Sequence, residues 1–207
     1  MISLIGLPGS GKSTVGRQLA RRLCLPFFDS DHAIELSLGC SIREYFEREG
    51  EDSFRDVEER VIAELTQTKA NGAEAAKQDA SKSVVVHALH SLSLSLEHEK
   101  PTLTVLSTGG GAVLRVGNRR NLRASGTVVY LRSQPDELFK RLRNDRNRPL
   151  LQVGDPLQRL RDLFAVRDPL YRETAHFVVE TGRPSVATLV NMIVMQLELS
   201  GSLPSQG

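Results

Sequence analysis

The chain has 207 residues, 40% of them hydrophobic and 25% charged, with a net charge of +2. These values suit one globular domain with a sizeable core. Nothing in the global charge points to nucleic acid or a membrane surface, and no apolar run reaches membrane-spanning length. Cys24 and Cys40 stand far apart without paired spacing, which predicts free thiols in a reducing compartment and no zinc site. The histidines show no metal-ligand spacing, and His87 and His90 fall in a Ser/Leu-rich stretch. The first residues lack a basic leader pattern, so a cytoplasmic protein is expected.

Ile2, Leu4 and Ile5 read as a short buried strand. It leads into Gly6-Leu7-Pro8-Gly9-Ser10-Gly11-Lys12-Ser13-Thr14, which fits G-x-x-x-x-G-K-[ST]. Val15, Leu19 and Leu23 then form the apolar stripe of a helix that begins at the lysine. A strand, a tight glycine turn and a helix N-terminus make an anion site. Lys12 would reach the β- and γ-phosphates of a nucleotide, and the Ser13 hydroxyl would ligate Mg²⁺. A glycine-rich turn with a chance Lys-Ser is the alternative reading.

Leu25–Phe28 reads as a second strand, ending at Asp29-Ser30-Asp31. Ser41 with Glu44 three residues on is a capping box, which predicts a helix over 42–49 stopping at Gly50. A longer helix over 53–68 follows, with Phe54, Val57, Val61 and Leu65 inward. Residues 69–100 break the pattern and read as an insertion. A third strand is expected over 102–106, running into Ser107-Thr108-Gly109-Gly110-Gly111. A helix over 118–124, a fourth strand over 127–131 and a helix opening at Pro135 come next. Residues 144–155 are polar and arginine-rich. Asp155 then caps a helix with Pro156 at its first position. A fifth strand over 177–179 and a last helix starting at Pro184 complete the domain, 1–199; residues 200–207 read as a frayed tail.

Strands alternating with helices predict a parallel sheet covered on both faces, with the functional loops at the C-terminal edge of the strands. There the carboxylates of Asp29 and Asp31 would lie beside the phosphate loop. One could hold a metal or its waters, and the other could accept a substrate hydroxyl's proton. Capping of the next helix by Asp31 is the competing reading. Arg55 and Glu58 share a helix face. They are either a weak surface ion pair or a guanidinium set for a carboxylate ligand. The three glycines after the third strand permit close backbone approach to a ligand. Arg141, Arg143, Arg146 and Arg148 suit a lid over a nucleotide better than a nucleic-acid patch, which would want interleaved aromatics. Arg167, before Asp168-Pro169-Leu170-Tyr171, is a second candidate for an anionic substrate.

Together these pieces resemble the shikimate kinase family. They are Gly9–Thr14, Phe28-Asp29-Ser30-Asp31, Phe54-Arg55-Asp56-Val57-Glu58, Thr108–Gly111, Arg148-Pro149-Leu150-Leu151 and Arg167–Tyr171, in the family's order. The resemblance implies an α/β P-loop kinase fold: three α/β/α layers around a five-stranded parallel sheet of order 2-3-1-4-5. It implies ATP-dependent phosphorylation of the 3-hydroxyl of shikimate, a step toward aromatic amino acids. One Mg²⁺ would accompany ATP, with no nucleic-acid or membrane partner, and a monomer is expected. By motif, Asp31, Arg55, Gly109, Gly110, Gly111 and Arg167 would bind shikimate in a region of about 31–62 and its partner loops. Gly9, Ser10, Gly11, Lys12, Ser13, Thr14, Arg148 and Arg183 would bind the nucleotide. Ser13 would hold the metal directly and Asp29 through water. Lys12, Asp31 and Arg148, the last on the lid, would be catalytic. The family passes from the long helix to the third strand in a few residues, so the insertion is a departure. A gluconate or nucleotide kinase, or a nucleotide switch without transfer, are the alternatives; a guanine-reading N-K-x-D is absent.

Overall fold

The computed structural model describes residues 1–67, 103–142 and 155–203. The sequence expectations for the insertion at 69–100, for His87 and His90, for the lid segment 144–154 with Arg146 and Arg148, for Arg143 and for the last tail residues lie outside these.

Five strands form one all-parallel sheet in the order β2-β3-β1-β4-β5. They are β1 (Ile2–Ile5), β2 (Phe27–Asp29), β3 (Val105–Ser107), β4 (Thr127–Arg132) and β5 (Phe177–Glu180). The helices are α1 (Lys12–Leu23), α2 (Ser30–Leu38), α3 (Ile42–Gln67), α4 (Val116–Ser125), α5 (Pro135–Leu142), α6 (Pro156–Thr174) and α7 (Val186–Leu199). The period-2 alternation of the strands divides the core. Ile2, Leu4, Val129 and Leu131 face one layer with Val15, Leu19, Leu189, Val190 and Ile193 of α1 and α7. Ile5, Leu106, Val128 and Tyr130 face the other, with Phe54, Val61, Leu138, Leu160 and Tyr171. The expected three layers and strand order are therefore present.

Local chemistry sets the boundaries. α1 opens at Gly11, whose φ of 93° is one that a side chain would disfavour. Gly50, at φ 82°, breaks α3 into the two helical segments expected on either side of it. The Ser41 hydroxyl accepts from the Glu44 N–H at 3.2 Å, as its capping box predicts.

Three expectations need correction. The third strand begins later, at Val105, because pairing with β1 is in register from Ile2 with Val105. The last helix starts at Val186 and is capped by Ser185, which accepts from Thr188 N–H; Pro184 stays outside. Residues 30–38 form a helix that the hydrophobic pattern does not announce. Its cap is Asp29, which accepts from the Asp31 N–H at 3.1 Å, so Asp31 does not serve as the cap. The Asp31 side chain is thereby left for other work.

Candidate active site

Parallel strands bring their C-terminal ends to one edge, and the loops that leave them meet there. β1 leaves into the glycine loop. Lys12 is buried, and its ammonium donates to the carbonyls of Gly6 and Leu7 at 2.9 and 3.0 Å. The cation is thus folded back across the loop that precedes α1. The dipole of α1 and the loop's N–H groups add positive potential at this point.

β2 ends in Asp29, and β3 ends in Ser107. The Ser13 hydroxyl donates to Asp29 Oδ2 at 2.7 Å and lies 3.2 Å from Ser107 Oγ. Three hard oxygens therefore gather at the first turn of α1. Such a donor set fits Mg²⁺, which takes oxygen ligands and leaves most positions to waters and phosphates. Asp29 also fixes the start of α2 through its other oxygen, so the carboxylate is held from two sides. Ser107 opens the stretch that the sequence sets at this edge, but it was given no role there. Only strand register places it opposite Asp29.

Asp31 follows on α2. It is exposed to solvent, yet it has Asp29, Lys12, Glu58 and Gly109 as neighbours. Loss of hydration, and then the neighbouring Asp29 charge, push its carboxyl up to about 6; Lys12 pulls the other way, and Glu58 and Glu35 add to the rise. A carboxyl poised there suits proton acceptance near neutral pH. A β-carbon at Gly109 would stand 2.5 Å from Asp31 Oδ1 and 3.0 Å from Glu58 Oε1, so a side chain there would push these carboxylates aside. The Gly109 N–H is held by the Ser30 hydroxyl at 3.0 Å, and Thr108 is tied to the end of β1 through Leu4 O.

Arg55 and Glu58 are not a surface pair. Arg55 is 9% exposed and Glu58 1%, and Nη1 donates to Glu58 Oε2 at 2.8 Å. Burial alone would weaken the arginine's hold on its proton, but Glu58 and Glu51 outweigh it and raise its pKa. Burial raises the Glu58 carboxyl in turn, against the pull of Arg55 and Arg167. The guanidinium lies over the rings of Phe54 and Phe46, at 5.3 and 5.9 Å from their centroids. It also presses on Gly111, where an added β-carbon would strike it.

Arg167 arrives from α6. Its Nη1 donates to Gly110 O at 2.9 Å, and Tyr171 donates its hydroxyl to the same oxygen at 2.6 Å. The neighbouring Asp168 accepts from Tyr130, Arg132 and Arg172, each at 2.8 Å, so the middle of α6 is pinned to β4. Burial favours the protonated acid at Asp168, yet these three donors prevail and lower its pKa.

Asp31, Arg55 and Arg167 thus meet at the three glycines, beside Lys12, Ser13 and Asp29, and the space they border is the candidate recess. Gly9, Ser10 and Gly11 form the loop itself, and Thr14 is exposed on the first turn of α1. Arg183 is exposed in the loop between β5 and α7. Arg141 donates to Thr181 O at the start of that loop. Arg148 lies outside the described residues. Sequence reasoning left Glu58 without a site role and passed over Tyr171. Both were legible as helix-face neighbours, at i+3 from Arg55 and i+4 from Arg167.

Among the described residues there is no group of three His, Cys, Asp or Glu side chains that could hold a metal by themselves, and no helix is long and apolar enough to cross a membrane. Cys24 and Cys40 are free.

A phosphate loop and a carboxylate at one edge of a 2-3-1-4-5 parallel sheet define a P-loop phosphotransferase. A family model described as shikimate kinase matches residues 8–73 and 91–198. The shikimate kinase of Paracidovorax citrulli is 54% identical over 204 residues, which cover 98% of this chain and 94% of the relative. That of Ralstonia nicotianae is 50% identical over 200 residues, covering 97% and 88%. The solved structure of shikimate kinase from Acinetobacter baumannii in complex with shikimate is similar at a TM-score of 0.74 and 41% identity, covering 98% of this chain and 94% of that one. The chain belongs to the shikimate kinase family. Its activity is the ATP-dependent phosphorylation of shikimate, and the gluconate-kinase, nucleotide-kinase and switch readings fall away.

Proposed function

We propose that the recess between α2, α3, the triple glycine and α6 holds shikimate, with its 3-hydroxyl facing the phosphate loop. Arg55 and Arg167 take the acid's carboxylate, since a planar guanidinium can bind both of its oxygens. Asp31 holds the ring hydroxyls and accepts the proton of the attacking one. Gly109, Gly110 and Gly111 let the backbone approach the ring closely.

On the other side Gly9, Ser10, Gly11 and Thr14 bind the phosphates of ATP through the loop and the first turn of α1. Lys12 leaves the Gly6 and Leu7 carbonyls to pair with the β- and γ-phosphates. Arg148, from the lid, adds positive charge at the transferring group, and Arg183 contacts the base. The oxygens of Ser13 and, through water, Asp29 suit one Mg²⁺, which when bound would neutralise phosphate charge. The enzyme acts as a monomer in the cytoplasm, and neither nucleic acid nor membrane enters its work.

The observation that carries this reading is the convergence of Asp31, Glu58 and Arg55 on Gly109 and Gly111. The reading is supported because Arg55 and Asp31 both lie against one backbone segment. The test is ADP formation with Mg²⁺ across a panel of acids and nucleosides, repeated with Arg167→Ala. Turnover should require shikimate, and the variant should raise the KM for shikimate with little change in that for ATP. An effect on ATP alone would make the division of the site wrong.

A further inference from the structure

Two carboxylates of different character hold Arg55. Glu58 is 1% exposed and grips Nη1 from inside the core. Glu51 has a side chain 60% exposed, and its single oxygen Oε1 collects both Nε and Nη2, at 3.3 and 2.9 Å. Nε and Nη2 make up one of the edges on which a guanidinium receives a carboxylate bidentately. Glu51 therefore sits on the edge that a ligand's carboxylate would use.

Glu51 is not needed to aim the arginine. Glu58 fixes one nitrogen, Phe46 and Phe54 cover the guanidinium, and Gly111 lies directly against it. Removing an exposed partner also costs far less than removing a buried one. We infer that Glu51 is an internal stand-in for the substrate's carboxylate: it pairs with the Nε/Nη2 edge of Arg55 and must be displaced when the acid binds. It thereby sets the affinity for shikimate, and raises the threshold for acids that cannot also engage Arg167 and Asp31. This inference rests on the assignment of Arg55 to the acid's carboxylate.

The experiment is Glu51→Gln, with shikimate binding measured by calorimetry and KM for both substrates measured by turnover. The Kd and KM for shikimate should fall about two- to fivefold, the weight of one exposed ion pair, and the KM for ATP should hold. In an Arg55→Ala background the same substitution should bring no gain. An unchanged or higher Kd in Glu51→Gln would overturn the inference, because Glu51 would then be idle or a positioning residue. A gain that persists without Arg55 would overturn it too, since Glu51 would be acting on the ligand by its charge. If Arg55→Ala alone leaves shikimate affinity intact, the assignment of Arg55 itself fails, a result separate from either of these.

Discussion

Tyr171 places its hydroxyl 2.6 Å from the carbonyl oxygen of Gly110, in the middle of the triple glycine. The ring behind that hydroxyl is fully buried and stacks on Tyr130, with centroids 4.8 Å apart. Tyr130 in turn donates to Asp168, beside Arg167 on α6. A loop of three glycines has little intrinsic rigidity, because glycine loses the most conformational freedom on folding. Here a phenol from one helix holds the middle carbonyl, and a serine from another holds the Gly109 N–H. The stiffness of the segment is borrowed from α6 and α2.

Tyr171→Phe keeps the stacked ring and removes only the hydroxyl. Arg167 still donates to Gly110 O, so that carbonyl is not orphaned. The expected loss of stability is therefore modest, about 1 kcal/mol, typical of one net hydrogen bond. Looser glycines should also lower kcat/KM for shikimate. Urea unfolding and steady-state kinetics check both; a variant with wild-type kcat/KM would show that the hydroxyl has no part in shaping the site.

For Asp31→Asn we expect turnover to fall by about 10²- to 10⁴-fold, the span ascribed to a positioned base, with ATP binding nearly intact. The same residue gives a pH signature in protein free of nucleotide and substrate. Its carboxyl is raised from 3.8 to about 6, so between these values the folded chain holds a proton that the unfolded chain has released. Stability from this residue therefore falls as pH rises from about 4 to about 6 and is level above that. The recess is open to water, so the effect is small. Denaturant midpoints at pH 4, 5, 6 and 7 should show this decline in the parent protein and less of it in Asp31→Asn.

What the sequence could and could not convey follows from the range of each interaction. The phosphate loop, the capping box at Ser41 and the helices opened by Pro135 and Pro156 rest on contacts within a few residues, and they stand where the pattern places them; Pro184 gave way to the Ser185 cap. The sheet order could not be read from spacing; it came with the family resemblance. Residues 30–38 form α2 with only Ser30 and Ile34 buried, too thin a stripe for periodicity to register. The fate of Arg55 turned on burial, which spacing at i, i+3 leaves open: the same pair could equally have lain in water. Ser107 and Tyr171 enter the site through partners far along the chain, Ser13 and Gly110, which only the fold brings near.

Gly111→Ala isolates the close approach of backbone and guanidinium. The backbone at Gly111, with φ −99°, lies outside the left-handed region and is open to alanine. The new β-carbon would instead stand 2.5 Å from Arg55 Cζ. The tip of an arginine can swing aside, so the fold should survive with little loss of melting temperature. The guanidinium would no longer be aimed, and the KM for shikimate should rise by roughly tenfold or more, the weight of one charge-assisted hydrogen bond. The KM for ATP should be nearly unchanged. Equal losses for both substrates would mean that Gly111 serves the phosphate loop as well.

α3 ends at Gln67, and β3 begins at Val105. A connection from helix to parallel strand enters the sheet at its N-terminal edge, whereas the recess lies at the C-terminal edge. The family match itself omits residues 74–90, between its two matched stretches. Lengthening a connection costs little, since the entropy of closing a loop grows only with the logarithm of its length. Replacing 74–90 by a short Gly/Ser linker should therefore leave kcat and both KM values within about twofold, a change worth under ~0.5 kcal/mol of transition-state stabilisation. A folded deletion variant that has lost turnover would tie this segment to catalysis, and the edge argument would then be wrong.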